Sequence, residues 1–271
     1  INPSAVSHRI NRLEEELGFK LFQRKQRKVK LTSEGERVFW VLKSSLEYLN
    51  QEILEIKNQE LSGTLTVYSR PSIAQCWLVP KLADFAHRYP AISLNILTGN
   101  ENVNFQGGGI DLAIYFDDKT PEKLSYQHLM DESMVPVCSP EYAEKHQLHG
   151  NLINLRQCTL LHDRQAWSYD SDRSEWNSWS QQIGFDLDPT QRSMGFDRSD
   201  LAIIAAINHV GVAMGRKKLV NKRLENQELI MPFPDMEVRC EQRYYISTLS
   251  DRQWPKINAF IQWLKKMADE S

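Results

Sequence analysis

Apolar positions recur along the chain with three different periods in turn, and each period predicts a different element. Val6, Ile10, Leu13 and Leu17 are spaced 4, 3 and 4 apart, a one-sided stripe that predicts a helix ending at Gly18. Asn2 can cap that helix, with Pro3 at its first position, where a missing N–H costs nothing. From Glu34 to about Glu60 neither Pro nor Gly interrupts after Gly35, and Val38, Leu42, Leu46, Leu49, Ile53 and Ile56 repeat close to a heptad. A helix of that span is a rod of roughly 40 Å at the helical rise. Its alternative is an ordinary amphipathic helix lying on the body of the protein. Leu61-Ser62-Gly63 ends it.

Beyond Gly63 short apolar runs alternate with helical periods. Strands are predicted at Thr64–Tyr68, Ile92–Leu97, Ile110–Phe116, Met134–Cys138, Cys158–Leu161, Val212–Met214 and Arg243–Leu249. Helices are predicted at Pro71–Tyr89 (broken near Pro80), Pro140–His146, Glu175–Ile183, Asp200–Asn208 and Trp254–Met267. Alternation of this kind implies α/β layers with a largely parallel sheet. A second lobe opens near residue 157, and the last strand and helix return to the first. Two lobes joined twice make a hinged cleft, and ligands of open α/β sheets bind at the carboxyl ends of the strands.

Charge sharpens the division. Residues 1–43 carry ten Lys/Arg against five Asp/Glu, a local +5 within a chain whose total is −2. Lys20, Arg24, Lys25, Arg27, Lys28 and Lys30 form a run without an acid. Such a run is usually a solvated face, but here it follows a helix whose free edge offers Ser4, Ser7, His8 and Arg12. A small-polar helix edge suits the major groove, and a basic hairpin suits phosphates. Cys76, Cys138, Cys158 and Cys240 show neither zinc spacing nor a secreted framework. No apolar run reaches transmembrane length, and the cytoplasm is the expected compartment.

The spelling of the first 35 residues resembles the winged helix-turn-helix of LysR-type transcriptional regulators. The matching positions are Ala5-Val6-Ser7, Ile10, Leu13-Glu14, Leu17-Gly18, Leu21-Phe22, Arg24, Leu31-Thr32 and Gly35. Further on, Leu78-Val79-Pro80, Phe85, Tyr89-Pro90 and Asp111-Leu112-Ala113 fall where that family expects them. The resemblance implies an α/β chain in three parts. Residues 1–33 would be the C-terminal part of the winged helix-turn-helix, whose first two helices lie earlier in the family. Residues 34–61 would be the linker helix that pairs two chains. Residues 62–271 would be a two-lobed effector-binding domain like a periplasmic binding protein, with lobe one about 62–156 and 238–271 and lobe two about 157–237. It also implies a DNA-facing set of Pro3, Ser4, Ser7, His8, Arg12, Arg24, Arg27, Lys28 and Thr32. Expected partners are double-stranded promoter DNA, a second chain, tetramers built from dimers, and RNA polymerase, with no membrane.

Three loops at strand ends carry the candidate effector contacts. Ser69, Arg70 and Ser72 open one helix, Asp197, Arg198 and Ser199 open another, and His162 ends a strand of lobe two. Thr98, Asn100, Tyr115 and Asp117 end neighbouring strands of lobe one. For each, the bland alternative is capping: Ser72 or Ser199 as an N-cap, Asp197 or Asp163 as a structural acceptor. The chemistry alone says a small, polar, amino-acid-like ligand and no cofactor. The runs Gly63–Trp77, Tyr115–Asp118, His162–Trp167, Gly195–Leu201 and Arg252–Ile257 resemble the D-serine-responsive members of the family, which implies D-serine as effector. A regulator responding to glycine or a cell-wall fragment is the rival within the family. A solute-binding protein shares the fold but has no use for a DNA-reading helix. An enzyme is disfavoured, since a histidine beside an aspartate specifies no triad and no nucleophile elbow or phosphate loop is present.

Overall fold

The computed structural model describes residues 3–25, 28–58, 61–100, 103, 105, 109–117, 125–165, 174–249 and 254–271. It divides into two units, Ile1–Glu60 and Leu61–Ser271.

The first unit begins with helix α1 (Pro3–Leu17), followed by a two-stranded antiparallel hairpin, β1 (Phe22–Lys25) and β2 (Lys28–Leu31). Glu14 joins the two. Its carboxylate is buried, accepts the N–H groups of Leu21 and Phe22 at 2.8 and 3.0 Å, and pairs with Lys20 at 2.8 Å. The Lys20 ammonium and then those N–H groups hold its pKa below the usual carboxylate range. Helix α2 (Ser33–Asn58) is the expected rod of 26 residues. Gly35 lies so close to the hairpin that an added Cβ would sit 2.0 Å from the Leu21 carbonyl oxygen, which excludes any other residue there. Along α2, Leu42, Leu46, Leu49 and Ile53 are all exposed, as are Phe39, Trp40 and Val41. On α1 the stripe Val6, Leu13 and Leu17 is also exposed.

The second unit is built on one sheet of eight strands, in the order β4-β3-β5-β10-β6-β9-β7-β8. These are β3 (Gly63–Ser69), β4 (Ile92–Thr98), β5 (Leu112–Asp117), β6 (Ser125–Val137), β7 (Leu160–Asp163), β8 (Ser193–Phe196), β9 (Val212–Arg216) and β10 (Val238–Thr248). The sheet is mixed rather than largely parallel. β3 is parallel to β4 and β5, and β7 to β8 and β9, but β10 runs antiparallel to β5 and β6, and β6 antiparallel to β9. The long β6 and β10 cross between the two parallel groups, and their pairing breaks register between Arg239 and Arg243.

Helices follow the strands: α3 (Pro71–Ile73), α4 (Leu82–Arg88), α5 (Pro140–Lys145), α6 (Ser174–Ile183), α7 (Ser199–Ile207), α8 (Lys217–Glu225) and α9 (Pro255–Asp269). Between α3 and α4 the chain passes through a π turn (Ala74–Leu78) and a 3-10 turn (Val79–Lys81), the interruption that Pro80 predicts. One core packs Leu65, Val67, Phe85, Leu112, Ile114, Phe260 and Leu264, none with measurable exposure. Each such side chain contributes roughly 1.5–3 kcal/mol by leaving water. A second core gathers Cys138, Leu148, Leu155, Leu160, Trp176, Trp179 and Val212, and a third seats α7 on Leu161 and Ala213. The second core therefore reaches back to Met134, ahead of residue 157, where the sequence reading opens lobe two. β8 and α8 have no counterpart in the sequence reading.

Candidate functional site

The carboxyl ends of the parallel strands bring the candidate effector residues toward one another, as open α/β sheets require. Ser69 ends β3 without exposed surface, and its hydroxyl donates to the Arg70 carbonyl at 3.2 Å. Arg70, half-buried, donates to the carbonyl of Asn100. Asn100 in turn donates from its side-chain amide to Gln165 beyond β7, at 2.5 Å. Ser72 donates to the carboxylate of Asp200 in the first turn of α7, at 3.1 Å. Arg198 reaches Gln75 at 3.2 Å and pairs with Asp200. Three hydrogen bonds thus tie the loops after β3 and β4 to those after β7 and β8.

Neither Ser72 nor Ser199 is a helix cap. The N-cap positions belong to Arg70 and Arg198, and neither of those side chains makes a capping hydrogen bond. The Ser199 hydroxyl is buried without a hydrogen-bond partner among the described residues. Asp163 is the structural acceptor: its carboxylate takes the N–H of Gln165 at 2.8 Å and the N–H of Ser199. His162 is buried in β7, opposite Gly195 of β8.

Four candidates lie apart from these contacts. Tyr115 is buried in a small cluster with Phe105 and Ile110, and its hydroxyl accepts the N–H of Val103 at 3.0 Å. Thr98 is exposed at the end of the edge strand β4, and Asp197 is exposed ahead of α7. Asp117 is half-buried at the end of β5, in register with Arg243.

Beneath the loops lies a charged floor that the sequence reading does not contain. Arg216 ends β9, with its guanidinium carbon 4.6 Å from the centre of the Phe116 ring. The Tyr244 ring lies 4.7 Å from the same phenyl ring, and its buried hydroxyl has no hydrogen-bond partner among the described residues. Glu175 of α6 accepts the N–H of Asp163 at 2.9 Å. Burial, helped by the charge of Asp163, pushes its pKa up to about 8. Burial also raises Glu132 to about 7, and its Oε1 accepts the N–H groups of Ser133 and Lys218, each at 2.9 Å. The one sequence signal for Arg216 is a cation closing the apolar run Val212–Met214.

In the first unit Ser7 is half-buried and His8 is exposed. Arg12 is exposed and paired with Glu16 at 3.2 Å, a contact cheap enough to exchange for a phosphate. Thr32 departs from its expected role. Its hydroxyl donates to the Lys20 carbonyl at 2.6 Å and accepts from the Gly35 N–H at 2.9 Å, while its own N–H goes to the Leu21 carbonyl at 3.0 Å. Both donors close the hairpin onto α2, and none is left for a phosphate. Arg27 and the side chains of Pro3, Ser4, Arg24 and Lys28 lie outside the described residues.

Comparison with known proteins agrees across the whole length. Residues 58–269 match the LysR substrate binding domain, and residues 1–36 match the bacterial regulatory helix-turn-helix protein, lysR family. The chain is 67% identical to the HTH-type transcriptional regulator DsdC of Escherichia coli K12, over 98% of this chain and 85% of that protein. It is 31% identical to the glycine cleavage system transcriptional activator of the same strain, over 97% and 84%. The effector domain of the transcriptional regulator AmpR of Pseudomonas aeruginosa superposes with a TM-score of 0.63 at 32% identity, covering 76% of this chain and 96% of that structure. CrgA of Neisseria meningitidis matches over 100% of this chain and 90% of its own, with a TM-score of 0.60 at 22% identity, a likeness of fold.

Proposed function

The chain belongs to the LysR family of transcriptional regulators, and from that premise we propose that it activates genes of D-serine catabolism in response to D-serine held in the cleft of its second unit. The observation that carries the effector site is the set of three hydrogen bonds across the strand ends, Ser72 to Asp200, Arg198 to Gln75 and Asn100 to Gln165. Those bonds join flanks that a small ligand can clamp, and they leave the Ser199 hydroxyl free to meet it. D-serine as the ligand is supported by the resemblance in the loop sequences and by the 67% identity.

On DNA, Ser4, Ser7 and His8 face base edges from α1, and Arg12, Arg24, Arg27 and Lys28 position the phosphates. Helix α2 pairs two chains through its exposed leucines, and tetramers form from such dimers. D-serine shifts the assembly only through different affinities for its two arrangements, and the favoured one admits RNA polymerase to the promoter.

The 31% identity to an activator of glycine cleavage makes glycine the second reading. Calorimetric titration with D-serine, L-serine, glycine and D-alanine separates them. Selective binding of D-serine is the expected outcome. Selective binding of glycine would retain the regulator and replace its effector.

A further inference from the structure

We infer that Arg216, on the floor of the cleft with Tyr244 beside it, is the anchor for the effector's carboxylate. This rests on the reading of the cleft as an amino-acid site and names the group that reads the acid end.

Four arginines stand at the candidate site among the described residues, and one of them, Arg164, is exposed alongside Gly195. Arg70 is spent on the Asn100 carbonyl, and Arg198 on Asp200 and Gln75. The Arg216 guanidinium makes no hydrogen bond or ion pair with any described side chain; its close contact is the face of Phe116. Its acidic neighbours make their hydrogen bonds with backbone N–H groups, although the second carboxylate oxygen of Glu132 is buried without a partner among the described residues. Asp163 holds the N–H groups of Gln165 and Ser199, Glu175 holds the N–H of Asp163, and Glu132 holds those of Ser133 and Lys218.

A guanidinium taken from water without a bidentate partner is costly, and such a group is satisfied best by a planar carboxylate. Burial opposes the charge on Arg216, but its pKa is held above the usual arginine value, with the Asp163 carboxylate among the charges that favour it, so it stays cationic. Glu175, with its pKa pushed up to about 8, is largely neutral near pH 7 and does not cancel that charge. Tyr244 adds a buried hydroxyl with no partner among the described residues, on the other contact of the same Phe116 ring. The arrangement is that of a half-made ion pair, and an amino acid's carboxylate completes it. A ligand seated there has its other end among Ser72, Ser199 and Asp200, where the flanks meet.

The test crosses one change in the ligand with one in the protein, using the whole chain and calorimetry. D-serine amide lacks the anionic carboxylate but keeps the ammonium and hydroxyl. The wild-type chain should bind it about 30-fold or more weakly than D-serine, the loss expected of a charged hydrogen-bonded pair. In Arg216→Met that gap should close to about threefold or less, with the loss falling on D-serine. A gap that survives the substitution overturns the anchor. Should Arg216→Met not fold, Arg216→Lys keeps the charge without the two-pronged donor, and the gap should narrow there too; an unchanged gap overturns the anchor. Tyr244→Phe should weaken D-serine and leave the amide unchanged, and equal loss on both counts against its role. If the wild-type chain binds glycine in place of D-serine, the effector reading fails while glycine against glycinamide still decides Arg216. If it binds no amino acid, both fall.

Discussion

Ser72 and Asp197 stand in equivalent places by sequence, each polar and each beside the start of a helix, yet the structure gives them different roles. Ser72 is buried and bonded to Asp200 across the strand ends, whereas Asp197 is exposed. Ser72→Ala should therefore weaken D-serine binding by about 1–2 kcal/mol, the cost of a hydrogen bond to a buried carboxylate, while Asp197→Ala should change it by less than about 0.5 kcal/mol. Calorimetry on the two variants checks this, and a larger effect at Asp197 would reverse the assignment. The serine was legible in sequence because it follows a strand and a proline. Asp200 and Gln75, which tie those loops together, were not, because their partners lie 128 and 123 residues away. Arg216 was hidden for a related reason. Its environment is assembled from β5, β7, α6 and β10, and no local pattern reports it.

At the scale of elements, hydrophobic period was the reliable guide. It located α1, the 26-residue α2, and the strand-helix alternation of the second unit. It missed β8 and α8. β8 holds Ser193, Met194, Gly195 and Phe196, only four residues with no clean alternation. α8 is rich in Lys and Arg with only Leu219 and Val220 buried, so its apolar face is too narrow to read. Strand direction was misjudged because β6 and β10 exceed the usual strand length and belong to both parallel groups, a fact of topology rather than composition. The hairpin β1–β2 carries its prediction as an element. On the proposed reading the basic residues of this segment act on phosphates, and Arg24→Ala and Arg27→Ala should each lower the slope of log K against log salt by roughly one unit. Fluorescence anisotropy across a salt series measures that slope, and an unchanged slope would remove the residue from the phosphate contacts.

The whole molecule joins a DNA-reading unit to a sensing unit, Ile1–Glu60 and Leu61–Ser271. Charge follows the same division, with an excess of five positive charges in residues 1–43 against a total of −2. A basic head gains from the phosphate field, and an acidic body avoids it. The sensing unit holds its candidate site where two parallel strand groups meet across the crossing of β6 and β10. The register break at Arg239–Arg243 places an irregularity at that crossing.

The central claim is that a small amino acid closes this cleft, and amide hydrogen exchange with and without D-serine tests it most directly. The account predicts slower exchange at Ser72, Gln75, Asn100, Gln165, Ser199 and Asp200 when D-serine is present. Unchanged exchange at those amides, or protection confined to Ile1–Glu60, would contradict it.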